Sequence, residues 1–252
     1  MCVGGFPEVV SLFLETKNLV TVNKKLNSLI FEMKSDFGRR IGKNGKPLFK
    51  PGEISRIQNA FDLIPSFLAK ENKRFIVSKI SSGNSQEKND AIEYLKQAHI
   101  VNKVFNVETP SLPYKGNVIP SQFKLFPEDI GLLVAMFGID SMIGINKNQE
   151  MGQSKGAIFE GAVFDCFIKS KIDCFYFAKQ TGLEIDFVIC YKGCSYLVEA
   201  KSKTGNTKSA KTVMSHPDHY GKTKLIKIGD YNVSESGDII TIPHYLTFLL
   251  GR

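Results

Sequence analysis

The stretch that most constrains the fold is residues 184–203, which alternates apolar and polar side chains on both sides of Lys192-Gly193. Such alternation, rich in β-branched and aromatic residues, predicts two short strands joined by a two-residue hairpin turn. Counting outward from that turn places Asp186 directly opposite Glu199. The register therefore predicts a facing pair of carboxylates.

The alternation also predicts which side chains share a face, because successive residues of a strand point to opposite sides. Glu184, Asp186 and Val188 are predicted on one face, Ile185, Phe187 and Ile189 on the other, and Leu197, Glu199 and Lys201 together on the partner strand. Two carboxylates and an ammonium group would then meet on one patch of sheet. Like charges that face each other destabilise a hairpin unless something compensates them, and a divalent metal is the hypothesis to test.

A further carboxylate, Glu160, lies within a strong helix pattern, KGAIFEGAVFDCFIKS, at residues 155–170. The apolar stripe of this helix takes in Ala157, Val163, Phe164 and Phe167, and Glu160 falls in its middle. A carboxylate inside an apolar stripe is costly unless it is paired, protonated or bound to a metal. Glu160 therefore joins the candidate site.

Glu160, Asp186, Glu199 and Lys201 together predict metal-assisted hydrolysis. Asp186 and Glu199 would hold Mg²⁺ or Mn²⁺ with waters and a phosphate oxygen, because these hard cations prefer oxygen ligands. Lys201 would position or polarise the attacking water, and Glu160 would add an outer ligand or fix a metal-bound water. By pattern alone, the alternative is an exposed sheet face that carries an ordinary Glu–Lys pair.

The chain is basic, with a formal net charge of +8 and a pI near 9.1, which favours a polyanionic partner and nucleic acid above all. One cluster of basic residues runs from Lys201 through Lys227, directly after the hairpin. Lys203, Lys208 and Lys211 would line a phosphate track beside the site, and a solvated basic helix face is the alternative. DNA is the expected partner.

Composition narrows the class of protein further. The longest apolar run, Ile130 to Ile139, is too short to span a bilayer and favours a buried helix, so we expect a cytoplasmic protein with no membrane partner. The five cysteines show no CxxC pair and no paired histidine spacing, so they are predicted to be small buried side chains rather than zinc ligands or disulfides.

Breaker-rich segments divide the chain into four predicted parts. Residues 1–50 are predicted to be helical, and residues 51–140 to form a winged-helix-like domain in which FIVSKI, starting at Phe75, is a strand. Residues 141–152 are a predicted linker. In residues 153–252 the pattern predicts a helix, three strands, a helix and a strand. The predicted fold class is α/β (α+β).

The helical Glu160, then Asp186, twelve intervening residues and Glu199-Ala200-Lys201, resemble the restriction-endonuclease-like PD-(D/E)XK superfamily. The resemblance implies that residues 153–252 form a nuclease-like domain, a central mixed sheet flanked by helices. It also implies metal or catalytic roles for these four residues. Ile185 stands where the superfamily name places proline, and proline is not a ligand. 

The whole chain is also similar to a domain of unknown function that usually lies C-terminal to an archaeal-type AAA ATPase module. The segments that carry this similarity are GGFPEVV, IPSFLAKENKRF, FKLFPEDIGLL, KGAIFEGAVFD, EIDFVI and VEAKS. It implies an ATPase domain as a partner, upstream or in trans. No ATP site is expected in the chain itself, because neither GKNGK at Gly42 nor GNTKS at Gly205 fits the G-x-x-x-x-G-K-[ST] spacing.

These observations predict a Mg²⁺-dependent DNA nuclease module, the C-terminal part of an AAA family ATP-binding protein. Its reaction would be phosphodiester hydrolysis in DNA. A non-catalytic DNA- or protein-binding regulator of an ATPase, with a silent nuclease fold, is the open alternative. A purely structural or oligomerising domain is a third.

Overall fold

The computed structural model describes residues 1–41 and 45–251; residues 42–44, where the GKNGK segment begins, and residue 252 lie outside the described residues. The chain divides into two compact units. The first unit comprises Met1–Lys103 and Leu125–Ile158, and the second comprises Val104–Lys124 and Phe159–Arg252. In the described part of the chain, no helix is both long and apolar enough to cross a membrane.

The first unit begins with a series of helices. They are α1 (Pro7–Thr16), α2 (Leu19–Arg39), α3 (Pro51–Asp62), α4 (Ile64–Leu68) and α5 (Ser85–Gln97). Asn18 caps α2, because its side-chain oxygen accepts hydrogen bonds from the N–H groups of Val20 and Thr21. Helix α2 packs against α1 and α3, and α3 packs against α5. Their buried apolar residues include Val22, Leu26, Ile57, Phe61 and Leu95.

The FIVSKI segment is not a strand, and that prediction was wrong. It forms a 3₁₀ turn at Val77–Lys79 between α4 and α5. Phe75 and Ile80 are each only 2% exposed, whereas Ile76 is 44% exposed. Two residues five positions apart point to opposite faces of a strand, so burying both of them on one core requires the chain to turn.

The chain continues through β1 (Val101–Val107), β2 (Val118–Pro127), α6 (Ile130–Met136) and α7 (Ile139–Asn146). Helix α7 covers the first half of residues 141–152, which the sequence indicated as a linker. At the start of α6 the Asp129 carboxylate accepts 2.7 Å hydrogen bonds from the N–H groups of Gly131 and Gly5. This contact joins the GGFP segment to α6 within the first unit.

The remaining elements are α8 (Gln153–Lys169), β3 (Cys174–Ala178), β4 (Glu184–Tyr191), β5 (Cys194–Ala200), α9 (Lys208–Met214), α10 (Pro217–Tyr220), β6 (Thr223–Gly229), β7 (Ser234–Ser236) and β8 (Ile239–Pro243). A 3₁₀ segment, His244–Gly251, follows β8.

Asn106 of β1 joins the neighbouring strand β3 through its side-chain amide, which accepts a hydrogen bond from the Ala178 N–H and donates one to the Ala178 carbonyl oxygen.

The strands form an eight-stranded mixed sheet in the order β2-β1-β3-β4-β5-β6-β8-β7. Strands β3, β4 and β5 are antiparallel, whereas β6 runs parallel to β5 and β8 parallel to β6. Phe164 and Phe167 of α8 contact the Phe187 ring, and α9 packs on the cluster that contains Val188. Adjacent strand residues point to opposite faces, so these helices flank the sheet on both sides. The predicted α/β class with a mixed sheet flanked by helices is confirmed; the predicted domain boundaries stay predictions.

Candidate active site

The hairpin of β4 and β5 has the predicted turn. Tyr191 pairs with Cys194, and Lys192 and Gly193 both have positive φ, 49° and 72°. This combination is typical of a type I′ turn, whose twist matches that of the strands it joins. The ladder continues in the same register to the pair of Phe187 with Val198. The predicted register is therefore observed as far as Phe187 and Val198, the pair next to Asp186 and Glu199.

A β-bulge interrupts β4 between Ile185 and Val188 and changes the predicted faces. Phe175 pairs with Val188 and Phe177 with Ile185, so β4 has one more residue than β3 across this step. Ile185 and Val188 consequently line the same core cluster. The prediction that they lie on opposite faces was wrong, because a bulge shifts the alternation by one residue. The two residues on β4 within this step are Asp186 and Phe187, so the bulge includes a residue of the candidate site.

Asp186, Glu199 and Lys201 meet where β5 ends. The Lys201 ammonium group lies 2.6 Å from a Glu199 carboxylate oxygen and 3.8 Å from an Asp186 carboxylate oxygen. The Asp186 Oδ2 also accepts a 2.9 Å hydrogen bond from the Ala200 N–H. Both carboxylates are buried, whereas the Lys201 side chain is 29% exposed. Of the three side chains, Lys201 is therefore the one most accessible to solvent.

Burial and proximity change the acid–base properties of this group. Desolvation, and after it the charge of Asp186, raises the pKa of Glu199 to about 7. Burial alone would lower the pKa of Lys201, but Asp186 and Glu199 outweigh it and raise that pKa above its ordinary value. Lys201 is therefore a cation at neutral pH. Two carboxylates this close disfavour their joint ionisation, so a second positive charge would stabilise them.

Glu160 belongs to a neighbouring buried cluster. Its carboxylate lies 2.9 Å from the ammonium group of Lys124, which also lies 3.1 Å from Glu184 and 4.8 Å from the centre of the Tyr176 ring. The side chains of Lys124 and Glu160 are 0% and 1% exposed. Of the outcomes that the sequence offered for Glu160, the structure shows the paired one. Its charge still raises the pKa values of Glu199 and Lys201, as the smallest of their causes.

The oxygen donors fit a small divalent cation in part. Mg²⁺ typically takes one or two carboxylates and fills its remaining positions with waters and phosphate oxygens, which suits Asp186 and Glu199. The Lys201 ammonium group lies beside Asp186 and Glu199, where a bound cation would also compensate their charge. The Lys124 ammonium group compensates the charge of Glu160. Within residues 1–41 and 45–251, no group of three or more His, Cys, Asp or Glu side chains is arranged to hold a metal. Among the described residues, Asp186 and Glu199 thus form a pair of possible metal ligands, whereas the Glu160 carboxylate is paired with Lys124.

Two residues of this region went without a role in the sequence analysis. Lys124 interrupts the apolar FKLF segment, and a lysine inside an apolar run was the available signal. His244 gave no signal, since its partner is a backbone atom. Its Nε2–H donates a 2.7 Å hydrogen bond to the Lys201 carbonyl oxygen, while the Lys201 N–H donates to Ile228. Both backbone groups of the lysine are therefore fixed.

The environment of His244 keeps its imidazole neutral. The ring packs against Phe159 at a centroid distance of 4.6 Å. Its Nδ1 is buried and has no hydrogen-bond partner among the described residues. Burial lowers the pKa of His244, despite the hydrogen bond to the Lys201 carbonyl. A neutral ring with the proton on Nε2 is the form that this contact requires.

The three lysines predicted to contact nucleic acid are exposed. Lys203 lies beyond the end of β5, and Lys208 and Lys211 lie one turn apart on α9. Their exposure permits contact with phosphate groups, and it equally suits a solvated surface. The prediction that they bind DNA stays a prediction.

Comparisons with known proteins give two matches to family models. Residues 1–143 match the model described as Domain of unknown function (DUF8612), and residues 155–245 match the model described as Domain of unknown function (DUF4143). No curated protein and no solved structure matches the chain. Because the first match covers more than half of the 252 residues, the chain belongs to the DUF8612 family.

Proposed function

We propose that the second unit is a Mg²⁺-dependent DNA nuclease module. The observation that carries the proposal is the convergence of Asp186, Glu199 and Lys201 at one end of the hairpin, with the Lys201 ammonium group 2.6 Å from Glu199 and 3.8 Å from Asp186. Two buried carboxylates beside a partly exposed lysine are a costly arrangement for the fold alone. Such arrangements are enriched at functional sites.

Each residue has a distinct role in the proposed reaction. Asp186 and Glu199 would hold the cation, and the Ala200 N–H fixes the orientation of the Asp186 carboxylate. The bound Mg²⁺ would supply charge stabilisation at the phosphodiester. Lys201, a cation at neutral pH, would donate hydrogen bonds to the attacking water or to a phosphate oxygen. His244 fixes the Lys201 backbone through its carbonyl oxygen.

Two further observations support DNA and an ATPase as partners. The net charge of +8 favours a polyanion, and Lys203, Lys208 and Lys211 are exposed in the unit that carries the site. The domain matched by residues 155–245 is commonly C-terminal to AAA ATPases. We therefore propose that the module acts on DNA together with an ATPase domain.

A cleavage assay tests this function. Plasmid and branched DNA are incubated with Mg²⁺ or Mn²⁺ and with wild type, Asp186→Ala or Lys201→Ala; Asp218→Ala, an exposed carboxylate of α10, is the matched control. We expect cleavage by wild type and the control, and a loss of at least about 100-fold in both site variants, as for removal of a transition-state donor. Equal activity in all four proteins would exclude catalysis by this site.

The buried ion pairs favour a second candidate function, a binding module with a silent nuclease fold. Lys124 pairs with Glu160 and Glu184, and Lys201 lies 2.6 Å from Glu199, so lysines already compensate part of the negative charge that a metal ion would otherwise neutralise. Such a module would retain DNA in electrophoresis at low salt without cutting it. Unchanged retention by Asp186→Ala, with no cleavage by wild type, would support the binding module over the nuclease.

A further inference from the structure

A cavity of about 750 Å³ lies in the second unit at the turn end of the β4–β5 hairpin. Its walls come from the segment around Pro113, the chain between α8 and β3, the hairpin turn and the end of the final 3₁₀ segment. Asp186 and Tyr191 are five positions apart on β4, which corresponds to about 17 Å along a strand. The cavity is therefore separate from the candidate active site. Its volume falls within the range of small-ligand pockets.

Charge and aromatic surface lie side by side in this cavity. Three lysines, Lys115, Lys171 and Lys192, line it together with one acidic residue, Asp173. Lys115 pairs with Asp173 at 2.8 Å, but both side chains are at least 70% exposed, so the pair exchanges readily with a stronger anion. The Lys192 ammonium group lies 5.2 Å from the centre of the Tyr191 ring. A ligand with both an anionic group and a planar ring would meet complementary groups here.

The wall behind this surface is fixed by buried hydrogen bonds. The Tyr114 hydroxyl lies 2.9 Å from the Ile189 carbonyl oxygen and 2.7 Å from the Ser195 hydroxyl, which in turn donates to the Pro110 carbonyl oxygen. The Tyr191 ring packs edge-on against Tyr196 at a centroid distance of 5.5 Å. The contact with Tyr196 restrains the tyrosine ring that would receive a planar group, which lowers the entropic cost of binding.

We propose that this cavity binds a nucleotide through its base and its 5′-phosphate. The base would stack on Tyr191, and the phosphate would bind the lysines, Lys171 and Lys192 foremost. Aromatic stacking with nearby lysines recognises nucleotides with little dependence on base identity. The nucleotide can be free or can be the end of a DNA strand, since both present the same two groups.

Calorimetry with four probes tests the proposal: thymidine 5′-monophosphate, a 5′-phosphorylated thymidine tetranucleotide, thymidine and inorganic phosphate. We expect wild type to bind one or both phosphorylated thymidine probes at least about tenfold more tightly than thymidine or phosphate, since each of those presents only one of the two groups. Binding of the monophosphate identifies a site for free nucleotides, whereas binding of the tetranucleotide alone identifies a site for strand ends.

Variants of the full chain assign that binding to the cavity. Tyr191→Ala should weaken it at least about fivefold, as for loss of one stacked base, while Tyr191→Phe should retain it. The double variant Lys171→Gln/Lys192→Gln should weaken binding and its salt dependence, and Lys222→Gln, an exposed lysine outside the cavity, should not. Thermal melts confirm that each variant is folded.

Two outcomes would overturn the proposal. One is the absence of detectable binding of both phosphorylated probes by folded wild type at millimolar concentration. The other is binding that neither Tyr191→Ala nor the double lysine variant changes. Asp186→Ala should bind the probes like wild type, so the proposal stands or fails independently of nuclease activity.

Discussion

The N–H of Ala200 donates a 2.9 Å hydrogen bond to Oδ2 of Asp186, across the two strands of the hairpin. A side-chain oxygen thereby receives a backbone N–H at the point where the β4 bulge alters the ladder. The bond fixes the Asp186 carboxylate to the backbone of Ala200, the residue between Glu199 and Lys201 in the sequence. The bulge includes Asp186, and this bond helps to position its carboxylate 3.8 Å from the Lys201 ammonium group.

Glu199→Gln is expected to change the pH dependence of stability. The pKa of Glu199 rises from its ordinary 4.5 to about 7 in the folded chain, so the native state binds more protons than the unfolded state between these values. Stability from this group is full below pH 4.5 and is lost as pH rises through 7. The free energy of unfolding of the variant, measured relative to that of wild type, should therefore rise by about 2–3 kcal/mol from pH 4 to pH 8.

Urea unfolding at pH 4, 6 and 8 measures this difference. Glu235→Gln, an exposed glutamate of β7, is the matched control and should follow wild type at all three pH values. If the Gln variant and wild type keep a constant difference in the free energy of unfolding from pH 4 to pH 8, Glu199 does not have a raised pKa.

Lys124→Met is expected to destabilise the second unit strongly. The substitution leaves Glu160 and Glu184 close together without the ammonium group that lies 2.9 and 3.1 Å from them. Removing one partner of a buried ion pair typically costs about 3–5 kcal/mol. Adding Glu160→Gln to Lys124→Met removes one of the uncompensated charges and should recover part of the loss, as measured by chemical unfolding. Additive losses would show that the two residues are not coupled.

His244→Phe tests the contact that fixes the Lys201 backbone. It keeps an aromatic ring beside Phe159 but removes the hydrogen bond to the Lys201 carbonyl oxygen, which should cost about 1–2 kcal/mol at pH 7.5. Because burial lowers the pKa of His244 from 6.5, the unfolded state binds more protons below that pH, and wild type should lose stability as pH falls through 6.5. The variant should lack this loss in unfolding measurements between pH 7.5 and 5.5. An equal pH dependence in both proteins would contradict the role of the neutral imidazole.

In the first unit, Asp129→Ala is expected to loosen the contact between the GGFP segment and α6. The 2.7 Å hydrogen bonds from Gly131 and Gly5 would both be lost. The contact is close, because a β-carbon at Gly4 would lie 1.9 Å from the Asp129 Oδ1. Loss of a cap alone costs about 1 kcal/mol, and the second charged bond should raise the total to about 2 kcal/mol. Asp129→Asn should cost less. Thermal unfolding compares the two variants.

The local pattern was sufficient to predict the hairpin, whereas the mixed sheet was predicted from the family resemblance. The turn at Lys192-Gly193 and the alternation on both sides of it specify the register as far as Phe187 and Val198. The bulge between Ile185 and Val188 could not be predicted, since no glycine or proline marks the extra residue. The ion pair of Lys124 with Glu160 joins positions 36 residues apart through the tertiary fold, which periodicity does not report.

The central claim is that Asp186 and Glu199 bind a divalent cation, and calorimetric titration with Mn²⁺ at pH 8 tests it most directly. We predict a single binding event in wild type and in the Glu235→Gln control. Its heat should disappear in Glu199→Gln and in Asp186→Asn, which replace a charged oxygen donor by a neutral amide of nearly the same shape. Wild type without a binding heat, or with a heat that persists in both amide variants, would contradict a metal site at this carboxylate pair.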